Sequence, residues 1–206
     1  MIYDISPPID AALAVWPGDT PPSREVMLDL ARGDSVTLST LHATVHLGAH
    51  ADAPSHYGRE AADIASRSLK PYLGPCEVMR VSVRHGARIV PADLPSPVRA
   101  PRVLLATGSY PDASRFNEDF AALSAELVDH LQRAGVVLVG IDTPSVDLFD
   151  SKDLPAHQRC MAHDLAILEG LLLDDVPAGF YELIALPLRL VGFDASPVRA
   201  VLRSLR

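Results

Sequence analysis

Cysteine is nearly absent from this sequence, with Cys76 and Cys160 the only two among 206 residues. They lie far apart and outside any CxxC pair, so they form neither a metal knuckle nor a disulfide framework, and a reduced, cytoplasmic compartment is expected. Positive charge is also short: 18 Lys and Arg stand against 26 Asp and Glu, a formal net charge of −8. No basic run occurs, which excludes nucleic acid as a partner, because phosphate backbones are held by clustered cations. Apolar runs stay at strand length, as in Val136–Val139, well below the roughly 20 residues that span a bilayer. The amino terminus, Met1 to Pro8, has neither the basic nor the long apolar region of an export signal. No membrane partner is expected.

What is present suits a packed core. Hydrophobic residues make up 48% of the chain and charged ones 21%, a globular composition. The 18 prolines are scattered rather than gathered into a linker, and no repeat or low-complexity tract appears. One domain over residues 1–206 is therefore expected, a size that a single core of up to roughly 250 residues can serve.

Between Val36 and Leu47 apolar and polar residues mostly alternate. That period predicts a strand carrying His42, Thr44 and His46 on one face. Further strands are predicted at Glu77–Val83, Val103–Thr107, Val136–Ile141 and Tyr181–Leu186. A helix is predicted over Ser124–Ala134, capped by Ser124, with Leu127, Val128, Leu131 and Ala134 as its apolar stripe and Gly135 as its end. A second helix is expected from about Ala156 to Leu165. Together these give an α/β class: one mixed domain with a substantial β-sheet or partial barrel flanked by helices.

The chemistry concentrates in one segment. Four of the eight histidines, His42, His46, His50 and His56, crowd around Asp52. Imidazole and carboxylate are ligands for a borderline divalent metal, and Gly48 and Pro54 allow the chain to turn the ligands inward. The four-residue spacing of His46 and His50 is not that of a helical zincin motif, since no Glu follows His46 and Gly48 opposes a helix. A strand delivering His46, followed by a loop folding His50, Asp52 and His56 back over it, is the expected local structure. His42, His85 and His130 are expected to be ordinary structural or surface residues, and Cys160 and His163 are assigned no role. Without a G-x-S-x-G elbow, and with neither cysteine in a nucleophile motif, a serine or cysteine hydrolase is disfavoured.

His46-Leu47-Gly48-Ala49-His50-Ala51-Asp52-Ala53-Pro54-Ser55-His56 resembles the H-x-G-[TA]-H-x-D-x-P-x-H signature of the cyclase family of metal-dependent hydrolases. The resemblance extends through Asp4-Ile5-Ser6, Trp16-Pro17-Gly18-Asp19, Ile141 to Asp147, Ala156-His157 and Ile167 to Leu171, and is nearest to the bacterial kynurenine formamidase (arylformamidase) branch. Ala49, where many members have Thr, also resembles that branch.

The resemblance implies the family's swivelling β/β/α-like fold and two divalent ions, with zinc expected and manganese or another ion as an alternative. It assigns His46, His50, Asp52, His157 and Glu169 as ligands, Asp52 and Glu169 bridging. It makes His56 the general acid/base and Trp16 a substrate-stacking residue. It further implies a homodimer and hydrolysis of N-formyl-L-kynurenine to L-kynurenine and formate in tryptophan catabolism. A water shared by two ions is acidified toward neutrality and supplies the attacking hydroxide in such sites. Two other readings are a hydrolase of another small amide or an isatin-like cyclic imide, and a non-catalytic binder of metal or small ligands. From the residues alone, Glu169 reads as an exposed turn residue, and only the resemblance makes it a ligand.

Overall fold

The computed structural model describes residues 1–205. Among them the elements run β1 (Ile2–Asp4), β2 (Ser23–Leu28), β3 (Leu38–His42), β4 (His50–Asp52), β5 (Leu73–Arg80), β6 (Arg88–Ile89), β7 (Arg102–Ala106) and β8 (Ala122–Leu123). Then follow α1 (Ala125–Arg133), β9 (Leu138–Ile141), α2 (Pro155–Ala162), β10 (Ala166–Glu169), β11 (Gly179–Ile184), β12 (Ala195–Pro197) and β13 (Val201–Ser204). Nine strands form one mixed sheet in the order β1-β13-β11-β5-β7-β9-β10-β4-β12, curled into a half-barrel. Its centre, β5-β7-β9-β10, is parallel. The strands on both sides pair antiparallel.

The central strands are buried on both faces, which is why they read as continuous apolar runs. Val103 and Leu105 of β7 pack toward Leu127, Val128 and Leu131 of α1 and toward Ala156 and Cys160 of α2. Leu104 and Ala106, one step out of phase, join Leu138, Leu168, Leu183 and Leu202 in the opposite cluster. Each fully buried leucine contributes about 1.5–3 kcal/mol relative to exposure. Helix α1 starts as its sequence predicts, with the Ser124 hydroxyl oxygen accepting from the Leu127 amide at 3.0 Å. It stops before Gly135, which takes φ +81°.

Helix α2 begins differently. Leu154 before it has no capping side chain and φ +43°; Asp147 caps the helix from a distance. Its carboxylate accepts from the amides of Ala156, at 3.1 and 3.2 Å, and His157, at 3.0 Å. An anion there satisfies orphan donors and complements the helix dipole.

The structure corrects the reading of Val36–Leu47 as one site-bearing strand. Strand β3 ends at His42 and pairs with β2 in a separate two-stranded arm, every residue of β3 being exposed. The alternation belongs to this surface arm, and His46 lies beyond it in a loop. The second correction concerns His50 and Asp52, expected on a loop. They form β4, an inner strand of the large sheet between β10 and β12.

Candidate metal centre and active-site cavity

Register places three acidic or basic side chains on one face. Glu169 pairs with His50 and Leu168 with Ala51 across β10 and β4. Because side chains alternate, His50, Asp52 and Glu169 face one side while Ala51 and Leu168 enter the core on the other. Helix α2 lies on that first side and brings in His157.

The imidazoles converge on the carboxylates. His50 Nε2 lies 3.2 Å from Glu169 Oε2 and 3.6 Å from Asp52 Oδ1. His157 Nε2 lies 3.3 Å from Asp52 Oδ2 and 3.5 Å from Glu169 Oε1, and His46 Nδ1 is 3.2 Å from Asp52 Oδ1. Asp52 and Glu169 are only 2% and 3% exposed, so Glu169 is no surface turn residue.

Outer contacts fix which nitrogen faces inward. His50 Nδ1 donates to the Gly48 carbonyl at 2.9 Å, and His157 Nδ1 donates to Asp147 at 2.9 Å. Both rings therefore turn Nε2 toward the carboxylates, where it would offer a lone pair to a bound metal, the outer-contact pattern of metal-ligating histidines. Asp147 is itself held by Arg88, whose guanidinium donates at 2.7 Å. Glu169 is held by the Val146 amide, donating to Oε1 at 2.7 Å.

Gly170 makes the pairing possible. A Cβ there would stand 2.2 Å from the Gly48 carbonyl oxygen, at φ +65°. Only glycine lets the two turns beside Glu169 and His50 touch.

These residues fit a divalent ion. His50 Nε2 and both Asp52 oxygens are buried without a hydrogen-bond partner. Such orphaned polar atoms cost about 1–3 kcal/mol each, more when charged. A cation among lone pairs of imidazole and carboxylate would remove that cost. Two groups of ligand atoms cluster within 4.8 Å, His50 with Asp52 and Glu169, and His46 with Asp52 and His56. Asp52 is common to both. His157 completes the ring of expected ligands, while His56, expected to be free for proton transfer, stands near enough to join the second group.

With protons in place of metal, charge is shared out strongly. Burial pushes the His46 pKa down, but the Asp52 carboxylate beside it, with help from Asp194 and Glu169, lifts it to about 9. His157 is raised well above its ordinary value, Asp147, Asp52 and Glu169 overcoming burial. Burial pushes Asp52 and Glu169 up, yet the surrounding histidines hold both below the usual carboxylate range. By contrast, burial raises the Cys76 thiol to about 12 and raises Cys160 further. Neither cysteine is a ready thiolate nucleophile.

The cluster forms one wall of a cavity of about 300 Å³. Trp16, Tyr110, Phe116, Leu154 and Leu171 line the rest, together with His56. The Trp16 ring is tilted 34° to Phe149 with centroids 5.1 Å apart and meets Phe116 edge-on at 5.4 Å. The structure thus brings Trp16 to the same cavity as His46, His50, His157 and Glu169, while Asp52 is buried. His42 is left outside, paired with Glu25 on the arm, and His163 binds Asp129.

Three aspartates were not singled out from the sequence. Asp142 lines the cavity and ties β7 to β9 by accepting from Thr107 and Gly108; burial raises its pKa despite those bonds. Asp147 lies inside a segment with family resemblance, a usable signal. Asp194, within 3.2 Å of His46 and His56, stands in an ordinary Gly-Phe-Asp turn that carries none.

The cyclase family model matches residues 3–148, more than half of the chain. Among solved structures, a potential metal-dependent hydrolase with cyclase activity aligns at 27% identity and TM-score 0.85, covering 98% of this chain and 96% of that one. A predicted metal-dependent hydrolase from Bacillus stearothermophilus aligns at 28% identity and TM-score 0.81, covering 98% and 97%. Isatin hydrolase A from Labrenzia aggregata, at 21% identity, TM-score 0.83 and coverage of 98% and 93%, shares the fold. The chain belongs to the cyclase family.

Proposed function

We propose that this protein is a metal-dependent hydrolase of a small aromatic amide, with N-formyl-L-kynurenine as substrate and L-kynurenine and formate as products. The observation that carries the reading is the buried pair Asp52 and Glu169, ringed by imidazole nitrogens, with Glu169 lining an aromatic cavity. His46, His50, His157, Asp52 and Glu169 would hold divalent metal, zinc being the first candidate and manganese the second. Bound there, the metal supplies Lewis acidity and lowers the pKa of a water.

The chain's own residues do the rest. Trp16 and Phe116 present ring edges and faces to an aromatic substrate. The small cavity admits a formyl group more readily than bulkier acyls. Hydrolysis adds water across the formyl C–N bond, and the departing arylamine nitrogen needs a proton. His56, which lines the cavity, is the group suited to carry it, since imidazole can both accept and donate a proton.

A second reading is supported by the shared fold of isatin hydrolase A and by the largely apolar cavity wall: the same centre opening a cyclic imide or lactam. N-Formyl-L-kynurenine and isatin assayed side by side, on protein stripped by chelator and restored with zinc or manganese, decide between them. Turnover of the formamide alone, lost on stripping and regained on restoration, is expected. Turnover of isatin alone would shift the substrate, and activity indifferent to verified metal removal would overturn the metal reading. A homodimer is expected as well, to be read from the mass in solution.

A further inference from the structure

Among the described residues, Asp194 is the one acidic residue that touches two histidines of the cluster from outside the expected ligand set. Its Oδ2 lies 3.0 Å from His46 Nε2 and 3.2 Å from His56 Nδ1, and the two rings stand 4.1 Å apart. The backbone around it is fixed. Its carbonyl accepts from the Ala53 amide at 2.8 Å, and the next residue, Ala195, pairs with Asp52 in the sheet. Among the described residues no Lys or Arg pairs with Asp194; its ion-pair partners are these imidazoles.

An ionised carboxylate only accepts hydrogen bonds, so each ring nitrogen facing it carries a proton. For His56 this places the proton on Nδ1 and the lone pair on Nε2. Free imidazole side chains in water favour the opposite arrangement. Asp194 is half-exposed, with 45% of its side chain open to solvent, and exposed pairs of this kind contribute little to folding. Its value is therefore geometric.

We propose that Asp194 is a positioning residue that holds the His56 imidazole in the Nδ1-protonated tautomer and in register with His46, leaving Nε2 as its working nitrogen. The proposal rests on the reading of His56 as the proton carrier, and goes beyond it by naming what selects the working atom. The order of events is simple. Nε2 accepts the proton released when water adds, and the same nitrogen returns it to the leaving amine, while Nδ1 stays bonded to Asp194 throughout.

The test compares wild type, Asp194→Ala, Asp194→Asn and His56→Ala, each loaded with zinc. Nitrogen-15 NMR of the imidazoles reads the tautomer, the His56→Ala spectrum supplying the assignment, and metal content and steady-state kinetics are measured alongside. Expected are an Nδ1–H signal for His56 in wild type and its shift toward Nε2–H in Asp194→Ala. With it, kcat should fall by about 10–100-fold, the usual loss on removing an outer partner of a site histidine. Zinc affinity should weaken as well, since Asp194 also bonds the ligand His46, so kinetics are read at saturating zinc, where KM should stay unchanged, and Asp194→Asn, which keeps an acceptor oxygen, should fall between. An unchanged tautomer with His56→Ala inactive would overturn the Asp194 assignment alone, as would a kcat restored to wild type at saturating zinc. Full turnover in His56→Ala would overturn the proton-carrier reading beneath it.

Discussion

Asp147→Asn asks one buried residue to fail at two tasks simultaneously. The carboxylate accepts from the amides of Ala156 and His157, from His157 Nδ1 and from Arg88, and it is fully buried. Asparagine keeps the shape but replaces one acceptor oxygen by an NH2 that must face donors, and it leaves the Arg88 guanidinium without its countercharge. Breaking a buried pair from one side costs about 3–5 kcal/mol. At this chain length each kcal/mol lowers the melting midpoint by roughly 2–4 °C, so a drop of about 6–20 °C is expected. His157 also loses the partner that aims Nε2, and zinc affinity should weaken by about 10–100-fold. Differential scanning calorimetry of chelated protein reads the first effect, and calorimetric zinc titration the second. A midpoint and an affinity both equal to wild type would show that Asp147 neither caps α2 nor orients its histidine.

Metal-free protein should lose stability as pH rises. His46 has its pKa lifted from 6.5 to about 9, so its contribution is complete below 6.5 and vanishes as pH passes through about 9, and raised His157 acts in the same sense. Asp52 and Glu169, depressed from 3.8 and 4.5, contribute above those values and lose their effect in acid. The chelated midpoint should therefore peak between those two limits and decline toward pH 9, whereas metal-loaded protein, whose ions replace the protons, should lack the alkaline decline; a chelated midpoint flat across that range would refute the coupling. Gly170→Ala should destabilise by about 2–5 kcal/mol, combining a left-handed backbone penalty with an overpacked contact against the Gly48 carbonyl. Urea unfolding measures it, and wild-type stability would mean that the two turns can separate freely.

The ligand segment was legible because its chemistry is local. His46, His50, Asp52 and His56 sit within one stretch, and no common structural pattern asks for so many imidazoles there. His157 and Glu169 were reachable only through family resemblance, because their partners lie across the sheet. Alternation misled at β3, since an exposed arm and a half-buried strand share the same period; burial is what separates them, and burial depends on what packs above. Strands β7 and β9 were found near their true bounds because central strands are apolar throughout. The three-residue strands β4 and β12 escaped, being too short to show any period. Asp194 was invisible for a related reason: His56, which gives it meaning, is 138 positions away.

That separation also bears on how the chain reaches its final form. Strand β4 is flanked by β10 and β12, both made from sequence much nearer the carboxyl end. Loop closure over such a span must be completed before its contacts reward it. A nascent chain that has exposed His46 through His56 thus holds a segment able to chelate metal but no surface on which to fold it. Glu169 and the Asp194 turn arrive only with the last strands. A metal site that needs Glu169 is therefore expected to assemble only once β10 and β12 have joined β4.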